Sequence, residues 1–229
     1  MTIHLFCVLS LYGLTTTYSL NKAVRFLLFL MKVIMNEVEL DKNFKSSKEK
    51  AILETAYNLF KRQDYFRIGI DRIIEEAVVA KMTFYKYFPS KHQLILECLK
   101  YEIWIIQNTL NTRISSARPN GTMACLQTIY QWHLEQLSEL DYRGNLIVKA
   151  SIELSHLPEA RLIIAVYNSW LFDLISILLE DLHITDKTLP QVIFNLLSGI
   201  LLPTSLYVPC WSDIEYMITT VQTIKHPIN

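Results

Sequence analysis

Residues 70–91 read IDRIIEEAVVAKMTFYKYFPSK, and the fold turns on them. Ile70, Ile73, Ile74 and Ala77 recur at steps of three and four, the spacing of one inward helix face, so a short helix is predicted over Ile70–Ala77. Val78-Val79-Ala80 is too short to travel, so the next helix starts almost at once and spans Lys81–Tyr87. It ends at Phe88-Pro89, because the residue before a proline is pushed out of the helical region. Ser90 then caps a long helix with Gln93 at its third position, a capping box. Upstream, Ser46-Ser47-Lys48-Glu49 is a second capping box. It opens a helix from about Ser47 to Gln63 whose inward stripe is Ile52, Ala56, Leu59 and Phe60. Between the two, Arg67-Ile68-Gly69 breaks the pattern and Gly69 serves as the next N-cap. Two short helices behind a longer one form a helix-turn-helix. The second short helix of such a unit enters the major groove with its N-terminal residues leading.

Composition agrees with a helical chain. Of 229 residues, 51% are hydrophobic and 19% charged, which excludes a disordered polypeptide. Five glycines and seven prolines supply too little turn chemistry for a sandwich or barrel of many short strands. The fold class expected is all-α. Net charge is zero, but it is unevenly laid out. Residues 42–91 carry 11 Lys or Arg against 6 Asp or Glu, a net of +5, and residues 92–229 carry 8 against 13, a net of −5. A basic three-helix domain over 42–91 followed by an acidic helical domain over 92–229 suggests two jobs in one chain.

The run Ile52–Leu96, with Ala56, Phe60, the Ile70–Ile74 helix, Ala77–Lys91 and Leu94, resembles the DNA-binding domain of TetR-family transcriptional regulators. The specific part is Thr83-Phe84-Tyr85-x-Tyr87-Phe88-x-x-Lys91. Two positions depart from the family pattern. Val78 stands where glycine is usual at the turn, and Ala80 where Ser or Thr caps the recognition helix. A β-branched residue at positive φ is strained, and alanine cannot cap. Together they are expected to cost about 1–2 kcal/mol of domain stability.

Lys81 and Met82 open the recognition helix, where lysine suits guanine O6/N7 and methionine a thymine methyl. The resemblance implies that Thr83, Tyr87 and Lys91 hold phosphates and that Tyr85 lies at the DNA surface. Lys86 is a phosphate or base contact by position. Lys91 also lies in the first turn after Ser90, where backbone N–H groups add an anion site. Lys48, Lys50 and Arg72 add a flanking electrostatic contribution, while Phe84 and Phe88 are expected in the core. One module with about four phosphate contacts binds weakly at physiological salt, so two copies are expected. Two-fold symmetry then predicts a palindromic operator in double-stranded DNA.

A long helix from Lys91 to about Arg113 joins the two parts. Breaks at Ala117–Gly121, Leu140–Gly144, His156–Pro158, Thr185–Pro190 and Val208–Trp211 delimit further helices near 122–139, 143–154, 158–182, 189–207 and 212–224. Ser212 and Glu215 are expected to cap the last. The resemblance implies that the last two long helices pair with their two-fold mates. Ile163, Val166, Trp170 and Leu174 on one, and Ile193, Leu197 and Ile200 on the other, form stripes wider than a monomer core requires. They are the expected homodimer interface, burial inside one subunit being the alternative. Tyr101, Trp104, Tyr130, Trp132, His133, Tyr142, Tyr167 and Phe172 either line an inducer cavity or are plain core. A small apolar or aromatic inducer suits them, since no arginine cluster accompanies them. The resemblance thus implies a ligand-responsive homodimeric regulator, a repressor released from its operator by inducer.

The first residues stand apart. Residues 1–21 contain no Lys, Arg, Asp or Glu, yet no basic stretch precedes Leu5 as a secretory signal requires. Met1–Asn21 is barely long enough to span a bilayer and is interrupted by Gly13–Ser19. The apolar extension over 1–41 reads as a start codon assigned too early, with the chain beginning at Met35 or Met31, as a helix packed on the body, or as a membrane anchor. The anchor would make the chain a membrane-tethered sensor. A further alternative is a helical interaction protein whose DNA module is disabled by Val78 and Ala80. Cys7, Cys98, Cys125 and Cys210 form no C-x-x-C pair, so neither a disulfide framework nor a zinc site is encoded, and buried reduced thiols in a cytoplasmic protein are expected. Glu153-x-x-His156 has the spacing of a di-iron ligand pair, but one copy reads as solvent-facing side chains. No Gly-rich phosphate loop, H-E-x-x-H or nucleophile elbow occurs, so no enzyme, metal or cofactor is expected.

Overall fold

The computed structural model describes residue 44 and residues 46–137, 145–202 and 208–225. The extension over 1–41, the break at 140–144 and Tyr142 lie outside the described residues. Within them the chain forms nine α-helices and no strand.

Three helices build the head: α1 (Ser47–Arg62), α2 (Ile70–Glu76) and α3 (Lys81–Tyr87). Ser46 caps α1 by accepting the Glu49 N–H at 3.2 Å. Ile52, Ala56, Leu59 and Phe60 are buried as the periodicity predicts, and Ile73 joins them while Ile70, Ile74 and Ala77 pack partly buried against the same core. The end of α2 closes in a Schellman motif. The Val78 N–H donates to Glu75 O at 3.1 Å and the Val79 N–H to Ile74 O at 3.2 Å. That geometry needs a left-handed residue, and Val78 supplies it at φ 52°. Its side chain is 88% exposed and packs on nothing that offsets the strain. Gly69 and Ala80 begin α2 and α3 without any side-chain cap.

The long α4 (Lys91–Ala117) starts at Ser90, whose hydroxyl accepts the Gln93 N–H at 3.1 Å. The Gln93 side chain donates forward to Glu97 at 3.0 Å rather than back to its cap. The helix runs four residues past the predicted end. It stops at a 3-10 turn, Arg118–Asn120, and at Gly121, whose φ of 97° favours glycine. The body follows with α5 (Thr122–Leu137), α6 (Leu146–Glu153), α7 (Pro158–Asp181), α8 (Leu189–Ile200) and α9 (Trp211–Lys225). The described α8 ends at Ile200, short of the predicted 207. The predicted cap of α9 is corrected. Helix α9 already begins at Trp211, so Cys210 takes the N-cap place, and Asp213, not Glu215, reaches back to its N–H at 3.2 Å.

Helix α4 packs on α1 at one end and on α5 and α7 at the other, and α7 also carries α6 and α8. Helix α7 is the one described helix long and apolar enough to cross a bilayer, but Trp170, Leu171, Leu174, Ile175, Leu178 and Leu179 of it are buried in this chain's own core. The core of the head does not stop at α4. It continues through Leu94–Leu99 into Leu146, Ala150 and Leu154 of α6 and Ala160 of α7.

Candidate nucleic-acid interface

Helix α3 is held from beneath. Phe84 is fully buried and Phe88 nearly so, with their rings 6.2 Å apart, as the sequence leads one to expect. Because 3.6 residues make a turn, burying Phe84 turns its neighbours outward. Lys81, Met82, Tyr85 and Lys86 are exposed, Met82 by 83%, while Thr83 and Tyr87 are half-buried at the flanks. An 83% exposed methionine has no packing reason to be there.

The basic groups are already engaged in the DNA-free chain. The Lys81 ammonium lies 3.1 Å from the Asp71 carboxylate, and that hydrogen bond raises its pKa. The pair is exposed, so water and salt screen it and a base edge can compete for the lysine. Lys86 sits over the Tyr87 ring at 5.6 Å. The Tyr87 hydroxyl oxygen accepts from Ser46 Oγ at 2.7 Å, which ties the end of α3 to the start of α1. With that oxygen accepting, the phenolic proton remains to be donated outward. The Lys91 ammonium donates to Phe66 O at 3.4 Å; burial lowers its pKa and the nearby Glu153 carboxylate opposes the fall. Around these, Lys48 is exposed, Lys50 lies 3.9 Å from Glu54, and Arg72 is taken by Glu76 at 2.8 Å and Gln63 at 3.0 Å.

The aromatic residues of the body do not converge on one point. The Tyr101 ring meets Tyr57 of α1 edge-on at 5.2 Å and stacks on Trp104 at 5.8 Å, so this pair belongs to the joint between α4 and the head. Tyr130 donates to Pro209 O at 2.8 Å and lies against Trp211, holding α9 onto α5. Phe172 faces Phe194 of α8, and Tyr167 faces Trp170. His133 is different. It is fully buried beside Trp132, and its Nδ1 lies 2.8 Å from Ile129 O. A carbonyl only accepts, so Nδ1 carries the proton and Nε2 keeps a lone pair with no partner. Burial pushes the ring's pKa down to about 4, which keeps it neutral.

Of the residues expected at a two-fold contact, Trp170, Leu174, Ile193, Leu197 and Ile200 are covered by this chain alone. Ile163 is half-buried against the core shared by head and α6. Val166 is exposed, together with Leu162 and Val192. Cys98 and Cys125 are buried free thiols, as expected, but Cys210 is exposed. Among the described residues no three His, Cys, Asp or Glu side chains converge.

One set of residues was read differently in the sequence. Glu153 is not a solvent-facing carboxylate. Its Oε2 accepts the Tyr65 N–H at 2.9 Å, while His156 stays exposed. Lys149 is buried, and its ammonium donates to Phe60 O at 2.7 Å, Lys61 O at 3.0 Å and Gln63 O at 3.3 Å. The Tyr65 hydroxyl donates to Leu146 O at 2.8 Å. A lone lysine inside the apolar run Leu146–Ala150 was the available signal, since an unpaired buried charge is too costly to keep.

Comparison with known proteins agrees with this geometry. Residues 52–98 match the family described as bacterial regulatory proteins, tetR family. The transposon Tn10 TetC protein of Escherichia coli is 31% identical over 112 residues, covering 49% of this chain and 54% of that protein. An uncharacterized HTH-type transcriptional regulator of Bacillus subtilis, YuxN, is 44% identical over 92 residues, covering 40% of this chain and 30% of that protein. The chain thus spans about half or less of the length of these relatives. Among solved structures, reduced E. coli NemR has a TM-score of 0.62 at 22% identity, covering 77% of this chain and 95% of that one. A TetR-family regulator from Streptomyces coelicolor has a TM-score of 0.61 at 20% identity, covering 78% and 96%. These two share the fold. Over residues 52–98, then, the chain is similar to the bacterial regulatory proteins of the tetR family.

Proposed function

We propose that the chain binds double-stranded DNA as a homodimer and represses transcription until a small molecule releases it. The observation that carries this is helix α3, where a buried Phe84 and Phe88 present Lys81, Met82, Tyr85 and Lys86 to solvent. Thr83, Tyr87 and Lys91 flank that face as phosphate holders, and Lys81 and Met82 lead into the groove. Nothing apolar needs to be exposed at Met82 for folding, whereas a thymine methyl gives it a partner.

Dimerisation doubles the phosphate contacts of a weakly basic head. Exposed Leu162 and Val166, one turn apart on α7, with Val192 on α8, support a self-complementary patch there. For the ligand, His133 is the favoured contact within the body. Its free Nε2 lone pair calls for a neutral molecule with a hydrogen-bond donor, such as a phenol or an amide, and an apolar remainder beside Trp132.

Capture of random genomic fragments by the chain at two salt concentrations, with sequencing, tests the proposal. The expected result is a shared palindrome whose recovery falls steeply with salt, since each phosphate contact releases a counterion. Capture without any shared motif, or recovery indifferent to salt, contradicts it.

A further inference from the structure

The first turns of α2 and α3 are joined by one side-chain pair. Asp71 Oδ1 of α2 lies 3.1 Å from the Lys81 ammonium of α3, ten residues on. Lys50 with Glu54 and Arg72 with Glu76 each lie within a single helix, whereas this pair bridges the two helices of the motif. The Asp71 side chain is 86% exposed and that of Lys81 63%, so the pair adds little to stability. A helix dipole favours a carboxylate in the first turn, but that preference does not draw it to the next helix. Asp71 also stands beside the residue that leads into the groove, where a negative charge opposes a polyanion. Neither stability nor raw affinity accounts for it. Discrimination does. An ammonium has three donors, and Asp71 takes one, leaving two for guanine N7 and O6. The carboxylate beside it only accepts. In a G·C pair, guanine O6 and the cytosine N4 amino group lie side by side in the major groove, hydrogen-bonded to each other. A donor and an acceptor at hydrogen-bond distance on the protein therefore face an acceptor and a donor at hydrogen-bond distance on the base pair.

We propose that Asp71 is a specificity-determining residue: with Lys81 it reads one G·C pair in each half-site, the ammonium on guanine and the carboxylate on the cytosine N4–H. This rests on the proposed reading of α3 as the element that enters the major groove. Turned round to C·G, the base pair sets its amino group against the ammonium and its O6 against the carboxylate, so like meets like. An A·T pair places its amino group and O4 in the same wrong order. A T·A pair keeps the right order at its centre, but it offers the ammonium a methyl group in place of N7 and sets adenine N7 beside the carboxylate. Asp71 therefore acts chiefly by making the wrong edges costly.

The test uses the full chain and a duplex recovered by genomic capture, with every base pair of one half-site replaced in turn by the other three, at one low salt concentration. The parent is expected to single out one G·C pair whose change to C·G weakens binding about twentyfold. Asp71→Ala is expected to bind the original duplex about twofold tighter and the C·G duplex about tenfold tighter. Discrimination at that pair then falls to about fourfold, while every other position keeps its own. Asp71→Asn keeps the size of the side chain but adds a donor, so it is expected to accept C·G as well. Lys81→Ala is expected to weaken binding and to lose the preference at the same pair. Both side chains are exposed, so the variants keep the fold. An Asp71→Ala profile equal to the parent's at every position overturns the proposal, as does one that tightens all duplexes by the same factor. So does a Lys81→Ala variant that loses its preference at a different base pair from Asp71→Ala. A parent chain that captures no shared motif defeats the DNA-binding reading itself, and this proposal with it.

Discussion

Among the described residues, the head over 46–90 buries apolar side chains and the Tyr65 ring, and turns its charges outward. The buried polar and charged residues, Glu102, Gln107, His133, Asn145 and Lys149, all lie in the body. The proposed function accounts for the difference. A reading head must hold α3 at a fixed angle while its polar groups stay at the surface, within reach of phosphates and bases, and an apolar core under Phe84 does that. Under the proposed function the body answers a ligand, which needs groups whose partners can be exchanged, and buried polar groups cost free energy whenever they are left unmatched. Helix α6 lies between the two, with a head-like apolar face and a body-like buried charge.

The sharpest way to break the comparison is to empty the head's core. Phe84→Ala is expected to cost about 3–5 kcal/mol, enough to unfold a small module. Hydrogen exchange should show amides of α1, α2 and α3 losing protection while those of α5, α7 and α8 keep theirs. Equal loss in both regions would mean that head and body unfold as one unit.

The body's counterpart is a pH experiment on His133. Its pKa is about 4 in the folded chain against an unfolded value near 6.5, so the unfolded chain binds the proton first as pH falls. Stability is therefore lost as pH drops from about 6.5 toward 4, by about 3 kcal/mol at most from this residue. Urea midpoints at pH 7 and pH 4.5 measure it, and His133→Phe is expected to remove most of the difference between them.

Smaller effects belong to the head's surface. Lys91→Ala is expected to weaken duplex binding about tenfold across sequences and to reduce the salt slope by about one. Replacing Val78 by glycine relieves a left-handed β-branched residue whose side chain packs on nothing. The gain expected is about 1 kcal/mol, or a rise in Tm of about 2–4 °C by calorimetry, with DNA affinity unchanged. Asp71→Ala frees the Lys81 ammonium and is expected to tighten binding about twofold at low salt, an advantage that high salt erases.

The head was legible in the sequence because its signals are local. Ser46 and Ser90 cap within three residues, Phe88-Pro89 stops α3, and Val78 declares its strain by standing where the chain must turn left-handed. The helices of the body were also legible, within a few residues at most ends. What their faces touch was not. Ile193, Leu197 and Ile200 repeat at helical spacing whether they meet another chain or their own, and here their own chain covers them. Lys149 stood out as a lone charge in an apolar run, but what it and Glu153 hold was invisible for another reason. Their partners lie 86 to 89 residues earlier in the chain, and no short-range pattern carries that distance.

Hydroxyl-radical footprinting of the chain on a captured genomic duplex tests the central claim most directly. Two symmetric protected patches, centred one helical turn or a multiple of it apart, are expected, with Lys81→Ala and Lys91→Ala weakening both patches together. A single unpaired patch, or protection that survives both substitutions, would contradict a paired α3 as the reading element.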